Sequence, residues 1–432
     1  IESNQGIIYT NGQRPISELQ DWLERKNPHY INCYPTVYKL LDTSKISNFV
    51  GWKGSSELDG TLYSSEECGI IALECPKNKG VYHVMDNQIV EVDTDGGMFR
   101  LCSASLATPE EHGFPRNTFL TTGESNVNAM THAIDPLAAA DAGNKTRVKP
   151  ALGKFSGENA VPLPKTAYPG KTVIILGEDA SNGQVYLYVS DVPGDLDNGK
   201  FYALTRKDKN QIETAITKGN TYDVEFVEVP NAKNLTGAEI ENLNTSLRSI
   251  QFARVEDLDY RKGGGANGRE LYFVATGVSG SPDKTYWGRM YRLKLDANSP
   301  LTGKLDIVAD GADKPGSDLI NPDNVCATEN YVYIQEDGDS FFPGATHNSW
   351  IWQYNIATGV KKPFMEMKNK DLGGTKYNPT SDMRFGLWEH GAMVDISDII
   401  GVSGAFTINI HSHTWVENDK FLNPSKATSV QA

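Results

Sequence analysis

Along most of this chain apolar residues come in short runs, broken by Gly, Pro, Asn and Asp. The fullest case is Lys171–Ser190. Val173, Ile174, Ile175 and Leu176 form one apolar run and Val185–Val189 a second, while Gly177 and Gly183 bracket Glu178, Asp179, Ser181 and Asn182 between them. Runs of this length between turn residues read as two buried strands joined at an acidic tip. Similar runs predict strands at Gly69–Leu73, Gly80–Val84, Gln88–Val92, Thr118–Thr122, Lys200–Thr205, Leu271–Thr276, Arg289–Leu295, Tyr331–Gln335, Trp350–Tyr354 and Ala405–Ile410. Asp86-Asn87 reads as a hairpin turn, and so does Gly263-Gly264-Gly265, since no helix start follows it to make a phosphate loop. Residues 131–170, rich in Ala, Pro, Gly and Lys, read as a long loop.

Helical patterning is confined to two places. Ser17 and Gln20 form a capping box ahead of Leu19, Trp22 and Leu23, which share one helical face. Thr236 and Glu239 form a second box, opening a helix that runs to about Ile250.

Many short strands with turns at fairly regular spacing suggest a sandwich, a barrel or a propeller. A loose repeat favours the propeller. Val81-Tyr-His-Val, Val185-Tyr-Leu-Tyr-Val, Arg289-Met-Tyr-Arg-Leu and Trp350-Ile-Trp-Gln-Tyr read as equivalent middle strands of different blades. The expected fold class is therefore all-β, a β-propeller of six blades with inserted loops and short helices. Residues 1–60 read as a divergent N-terminal segment with a short helix, and residues 61–432 as the propeller domain.

Composition narrows the function. A net charge of -14 and a pI near 5.1 exclude the basic face that nucleic-acid binding requires. No apolar run is long enough to span a membrane as a helix. Beginning at Ile1 rather than Met, the chain reads as a processed, secreted protein, extracellular or periplasmic. Cys33, Cys68, Cys75, Cys102 and Cys326 fit no zinc spacing, and their odd number leaves a thiol unpaired within the chain. Asn144, Asn234 and Asn244 begin glycosylation triplets.

Candidate chemistry lies in carboxylates at strand and loop ends: Glu124, Glu158, Glu178-Asp179, Glu256-Asp257, Asp323, Glu336-Asp337-Gly338-Asp339 and Glu389. Each alone is as readily a turn residue, because Asp, Asn and Gly suit turns for backbone reasons. As a series on a radial fold they would converge at one end of the central channel. Their pKa values would then rise, or they would hold a hard cation such as calcium, which takes roughly six to eight oxygen ligands. Arg254 and Glu256, two residues apart, would share a strand face. His411 and His413 have the same spacing and read more readily as the polar face of a strand than as a metal site. No Gly-x-Ser-x-Gly elbow is present.

In order and local sequence these motifs resemble the PhoX-type alkaline phosphatases, secreted propellers that use calcium and iron. The resemblance covers residues 98–415 and is carried by Leu120-Thr-Thr-Gly-Glu124, Gly153-Lys-Phe-Ser-Gly-Glu158, Ile175-Leu-Gly-Glu178-Asp179 with Tyr186-Leu-Tyr-Val-Ser190, Arg254-Val-Glu256, Pro322-Asp323-Asn324, Glu336-Asp337-Gly338 and Glu389-His-Gly-Ala. It implies hydrolysis of small phosphate esters. Glu124, Glu158, Asp179, Glu256, Asp323, Glu336 and Glu389 would be metal ligands or their near neighbours. Arg254 would hold the substrate phosphate and, with Glu256, form the catalytic pair. Metals would neutralise charge on the transferring group and activate an oxygen nucleophile. Two positions depart from the family: its motif cysteine falls on Gly123 and its motif histidine on Gly157. Without the thiolate, a calcium centre is expected rather than an iron-containing one. The alternative is a non-catalytic calcium-binding propeller that binds or assembles at a cell surface, with residues 1–60 as its docking element.

Overall fold

In the computed structural model, the residues described are 101–124, 126–135, 148–337, 344–367 and 389–411, with short segments at 7–9, 20–21, 23–25, 30–32, 42–45, 51–53, 62–65, 69–74 and 82–84. The chain divides into two compact units, Ile1–Val92 with Pro136–Asn144, and Asp93–Asp135 with Lys145–Ala432. The first contains a parallel sheet of β1 (Ile7–Tyr9), β2 (Tyr30–Asn32) and β3 (Gly51–Lys53). It also contains an antiparallel sheet of β4 (Leu62–Ser65), β5 (Gly69–Glu74) and β6 (Tyr82–Val84). The expected strand at Gln88–Val92 and most of the first capping box lie outside the described residues.

The second unit is a series of antiparallel meanders. In chain order these are β7 (Leu101–Ala107), β8 (Thr118–Gly123) and β9 (Thr131–Ile134); β10 (Gly157–Pro162), β11 (Thr172–Glu178), β12 (Val185–Ser190) and β13 (Lys200–Arg206); then β14 (Thr221–Glu228) by itself; β15 (Val255–Tyr260), β16 (Glu270–Ala275), β17 (Arg289–Leu295) and β18 (Thr302–Asp310); β19 (Pro322–Ala327), β20 (Tyr331–Glu336), β21 (Trp350–Asn355) and β22 (Lys361–Glu366); and β23 (Glu389–Asp395) with β24 (Phe406–His411). The first strands of the meanders pack side by side in chain order, β7 on β10, β10 on β15, β15 on β19 and β19 on β23. A ring of first strands, each starting its own outward meander, is the plan of a propeller. The fold is all-β and propeller-like. The motifs read as equivalent middle strands are the third strands of their sheets, β6, β12, β17 and β21. Strand β14 has no counterpart in that repeat: it pairs with both β13 and β18, joining the outer edges of two meanders into one nine-stranded sheet.

Why the strands read as continuous apolar runs follows from the packing. Successive side chains on a strand point to opposite faces. On β11 and β12, Val173, Ile175, Val185 and Leu187 enter one buried cluster, which also takes Leu271, Phe273, Tyr291 and Leu293 from the next meander. Ile174, Leu176, Tyr186 and Tyr188 enter another with Leu120 and Phe155. The opposite face of β16 and β17 packs Tyr272, Val274 and Met290 against Val332, Ile334 and Trp352. Each of these sheets is buried on both faces, so neither face needs polar residues.

The expected loop at 131–170 is a correction. It contains β9 and β10, and every residue of β10 is buried. Pro162 and the short Gly-Glu-Asn-Ala-Val sequence hide the strand, whose burial is set by its neighbours rather than by its own pattern. The second capping box forms as expected, with the Thr236 side chain accepting from Glu239 N and Glu239 reaching back, but the helix Gly237–Leu247 stops three residues short of Ile250. It lies between β14 and β15. The third glycosylation triplet is inside the fold: Asn244 is buried and its Nδ2 donates to the Tyr186 hydroxyl at 2.7 Å. Among the described residues no helix is long and apolar enough to cross a membrane.

Candidate metal centre

One backbone contact recurs where three of the second strands end, β11, β16 and β20. The N–H of Asp179 donates to the Ser156 carbonyl at 2.9 Å, that of Thr276 to the Arg254 carbonyl at 3.0 Å, and that of Asp337 to the Asn321 carbonyl at 2.9 Å. This contact sets a common register for three meanders. The next residue in each (Gly157, Val255, Pro322) is the first paired residue of its innermost strand, and a β-bulge follows at once. The first bulged residue is Glu158 in β10, Glu256 in β15 and Asp323 in β19. An equivalent shift begins after Leu101 in β7, where Cys102 and Ser103 take the bulge, and after His390 in β23. Bulges re-aim side chains and gather next to functional sites. Here they bring carboxylates of neighbouring strands within electrostatic reach.

The ends of the second strands supply the rest. Glu124 follows β8, Asp179 follows β11 and Asp337 follows β20. Gly177 allows the close approach: a Cβ there would lie 2.9 Å from the Glu256 carbonyl oxygen.

Glu124, Glu158 and Asp179 each offer one carboxylate oxygen to a group whose atoms all lie within 4.8 Å of one another. Glu158 is 2% exposed. Its Oε1 accepts from Ser103 Oγ at 2.8 Å, and its Oε2 is buried with no hydrogen-bond donor. Burial, then the negative charge of Glu124, pushes the Glu158 carboxyl up to about 8. Burial also raises Glu256, reinforced by Asp179 and Glu158 and opposed by Arg254. Asp323 is raised by removal from water and then by Glu256, Asp337 and Glu389. An uncompensated group of carboxylates is costly, and a cation is its natural counterpart.

Arg254 stands among these acids. Its backbone is left-handed, with φ of 64°, a conformation that costs a non-glycine residue about 1–3 kcal/mol. It is pinned there by Arg254 N donating to the Ala180 carbonyl at 3.1 Å and by the Thr276 contact. Arg254 Nε donates to Asp179 Oδ1 at 2.7 Å and Nη2 to Asp179 Oδ2 at 3.1 Å. Nη2 also lies 2.6 Å from Glu256 Oε1. The expectation that Arg254 and Glu256 lie together is met by direct contact, although a bulge and a left-handed residue, rather than a regular strand face, bring it about.

A second layer joins the innermost strands laterally. Ser105 Oγ donates to Asn159 Oδ1 at 3.1 Å, Asn159 Nδ2 to Asp257 Oδ1 at 2.5 Å, and Val325 N to Asp257 Oδ2 at 2.9 Å. Ala327 N donates to Asp259 Oδ2 at 2.9 Å. These side chains, Asn159 and Asp257 from the second positions of the bulges and Ser105 and Asp259 beside them, tie β7, β10, β15 and β19 together. Asp257 is used here, and burial raises it to about 6.

Glu336 lies elsewhere than the sequence suggests. It is buried, and its carboxylate accepts from Ile320 N at 2.8 Å, Trp352 Nε1 at 2.7 Å, Trp350 N at 2.9 Å and His347 Nε2 at 3.0 Å. Four donors from the chain occupy it, so it anchors its blade. Its counterpart is Glu178, also last in a second strand, which accepts from the Tyr186 hydroxyl at 3.0 Å and is raised by burial to about 8. The residue level with Asp179 is Asp337, whose Oδ2 accepts from Asn321 Nδ2 at 3.1 Å. The Glu-Asp pair at both strand ends was the available signal: in each, the Glu points into the blade and the Asp belongs to the end contact. Glu389 opens β23, half-buried, and acts on Asp323. His411 ends β24 opposite Glu389, while His413 lies outside the described residues.

Carboxylate oxygens alone form the Glu124–Glu158–Asp179 group. Such hard donors, one of them buried without a proton donor, fit a hard cation such as calcium. Among the described residues the group holds no thiolate to favour iron.

No protein-family model and no curated protein matches the chain. Among solved structures it is similar to Pseudomonas fluorescens PhoX in complex with vanadate, a transition state analogue, at 16% identity and a TM-score of 0.42, over 55% of this chain and 48% of that one. It thus spans about half the length of that protein. Cobalt-substituted Synechocystis ACO is similar at 10% identity and a TM-score of 0.29, over 68% and 64% of the two chains. A luciferin-regenerating enzyme is similar at 10% identity and a TM-score of 0.26, over 69% and 85%.

Proposed function

We propose that this chain is a secreted, metal-dependent, phosphatase-like propeller that hydrolyses small phosphate esters, with calcium held by Glu124, Glu158 and Asp179. One observation carries the reading: a buried carboxylate, Glu158, keeps an oxygen without a donor inside a group of acids, one of which, Asp179, joins Glu256 in holding a guanidinium. Bound there, the cation would offset charge on the transferring phosphoryl group. In the metal-free centre Glu256 and Asp179 hold Arg254, whose Nη1 edge makes no hydrogen bond among the described residues and whose side chain is 37% exposed. That edge offers a forked pair of donors to phosphate oxygens. Asp323, Asp337 and Glu389 extend the acidic surface on the β19 and β23 side. In the reaction, water attacks phosphorus, the ester oxygen departs with a proton, and inorganic phosphate remains.

Turnover of p-nitrophenyl phosphate with calcium, with and without iron, tests this reading. Activity that depends on added calcium and is lost in Arg254→Ala and Glu256→Gln supports it. Absence of turnover in every metal condition overturns the enzymatic part. A second reading is favoured by Gly123, which removes the family's thiolate: a calcium-stabilised, non-catalytic propeller that docks at a surface through residues 1–60. Calcium binding without turnover selects it.

A further inference from the structure

The salt bridges of Arg254 bear on how the acidic ring takes up cations. Both carboxylate oxygens of Asp179 accept N–H groups from Arg254, and Glu256 Oε1 lies 2.6 Å from the same guanidinium. Yet Asp179 is also one of three residues whose oxygens converge within 4.8 Å, beside the donorless Oε2 of Glu158. The same carboxylate thus faces two positive partners. A metal ion taking an Asp179 oxygen must draw on lone pairs already engaged by Nε and Nη2, and must stand close to a second positive charge.

We propose that Arg254 is a resident cation of the ring that competes with a metal ion for Asp179, so that metal binding and release of the guanidinium are one coupled event. The inference rests on the metal-centre reading above and deepens it. The backbone of Arg254 stays put, pinned at its N–H by Ala180 and at its carbonyl by Thr276. Only the side chain has freedom to leave, and it is partly exposed. A phosphate dianion that takes the guanidinium therefore strengthens metal binding, and a metal ion that takes Asp179 makes Arg254 available to phosphate. By linkage, each ligand raises the affinity of the other by the same factor. This gives Arg254 a role in ordering the centre as well as in holding substrate.

Calcium titration calorimetry on chelator-treated full-length protein tests the coupling, with no turnover required. Arg254→Met, which keeps much of the aliphatic stem, is expected to bind calcium at least tenfold more tightly than wild type. Inorganic phosphate is expected to tighten calcium binding to wild type several-fold and to leave Arg254→Met unchanged. Arg254→Lys, which keeps the charge but not the fork, is expected to fall between the two. Equal or weaker calcium binding by Arg254→Met, with a wild-type thermal transition showing that it is folded, overturns the proposal. So does a phosphate effect of equal size in wild type and Arg254→Met. If Arg254→Met does not fold, the wild-type experiment decides: no phosphate effect on calcium affinity overturns the coupling. Absence of calcium binding in every protein contradicts the metal-centre reading as well, which separates the two failures.

Discussion

Replacing Glu158 by Gln removes one buried ionisable group while keeping the shape of the side chain and an acceptor for Ser103 Oγ. In the folded protein the Glu158 carboxyl is raised from 4.5 to about 8, first by burial and then by Glu124. Below pH 4.5 it is protonated in folded and unfolded chains alike and contributes no pH dependence. Between 4.5 and about 8 the unfolded chain gives up this proton and the folded chain keeps it. Stability therefore falls as pH rises, by about 1.4 kcal/mol per pH unit, and the loss is complete above the folded value. At pH 7 the accumulated penalty is on the order of 3 kcal/mol. Glu158→Gln should remove it. Without metal, the variant should unfold at a higher temperature than wild type at pH 7–8 and at about the same temperature near pH 4.5. With calcium the order should reverse, because the wild-type site gains its counter-ion and the amide offers a poorer ligand. The assay is thermal unfolding followed by circular dichroism, with chelator or calcium, across that pH range. A metal-free variant less stable than wild type at pH 8, or a calcium stabilisation equal in both proteins, would refute the reasoning.

Other substitutions separate anchoring from binding. Glu336→Gln turns an amide N–H₂ toward backbone and indole donors and should destabilise the fold by about 2–4 kcal/mol in denaturant unfolding, with the calcium stoichiometry unchanged. Asp179→Asn should do the opposite, leaving unfolding near wild type while lowering calcium affinity at least tenfold by calorimetry. Gly177→Ala sets a Cβ against the Glu256 carbonyl. It should cost about 1–3 kcal/mol of stability and weaken calcium binding, since the carbonyl belongs to the bulged residue itself. Tyr186→Phe removes the hydroxyl that joins Glu178 to Asn244. A loss of about 1–3 kcal/mol in chemical unfolding is expected.

Much of the architecture was legible because the blades are buried on both faces. Val173–Leu176 and Leu271–Ala275 announce themselves as strands by apolar runs that solvent-facing sheets do not need, and Arg289–Leu295 by its alternation of apolar and basic residues. Strands β10, β15 and β19 were harder to see. Each opens with a Gly, Val or Pro followed by acidic or amide residues, a pattern that reads as turn, and only packing between neighbouring meanders makes it strand. The ring residues were legible as a series of acids at apolar boundaries, and Glu124, Glu158, Asp179 and Glu256 do meet. Of the two Glu-Asp pairs, the sequence pointed to Asp179 in one and to Glu336 in the other, and only the first of these belongs to the end contact. That choice depends on one position of register: Glu336 turns inward to four donors, and Asp337 makes the contact to Asn321. Arg254 was picked out by the resemblance of Arg254-Val-Glu256 to a family motif, with its spacing from Glu256 in support, but its left-handed backbone and its hold on Asp179 depend on a strand far away in sequence.

The central claim is that the bulged ends of the innermost strands build a cation centre. Elemental analysis of purified wild-type protein, equilibrated with calcium and then freed of loosely bound ions by gel filtration, tests it most directly. At least one equivalent of calcium is predicted per chain, falling by one in a Glu158→Gln, Asp179→Asn double variant that still unfolds cooperatively. Wild-type protein that retains no metal, or a double variant that retains as much as wild type, would contradict it.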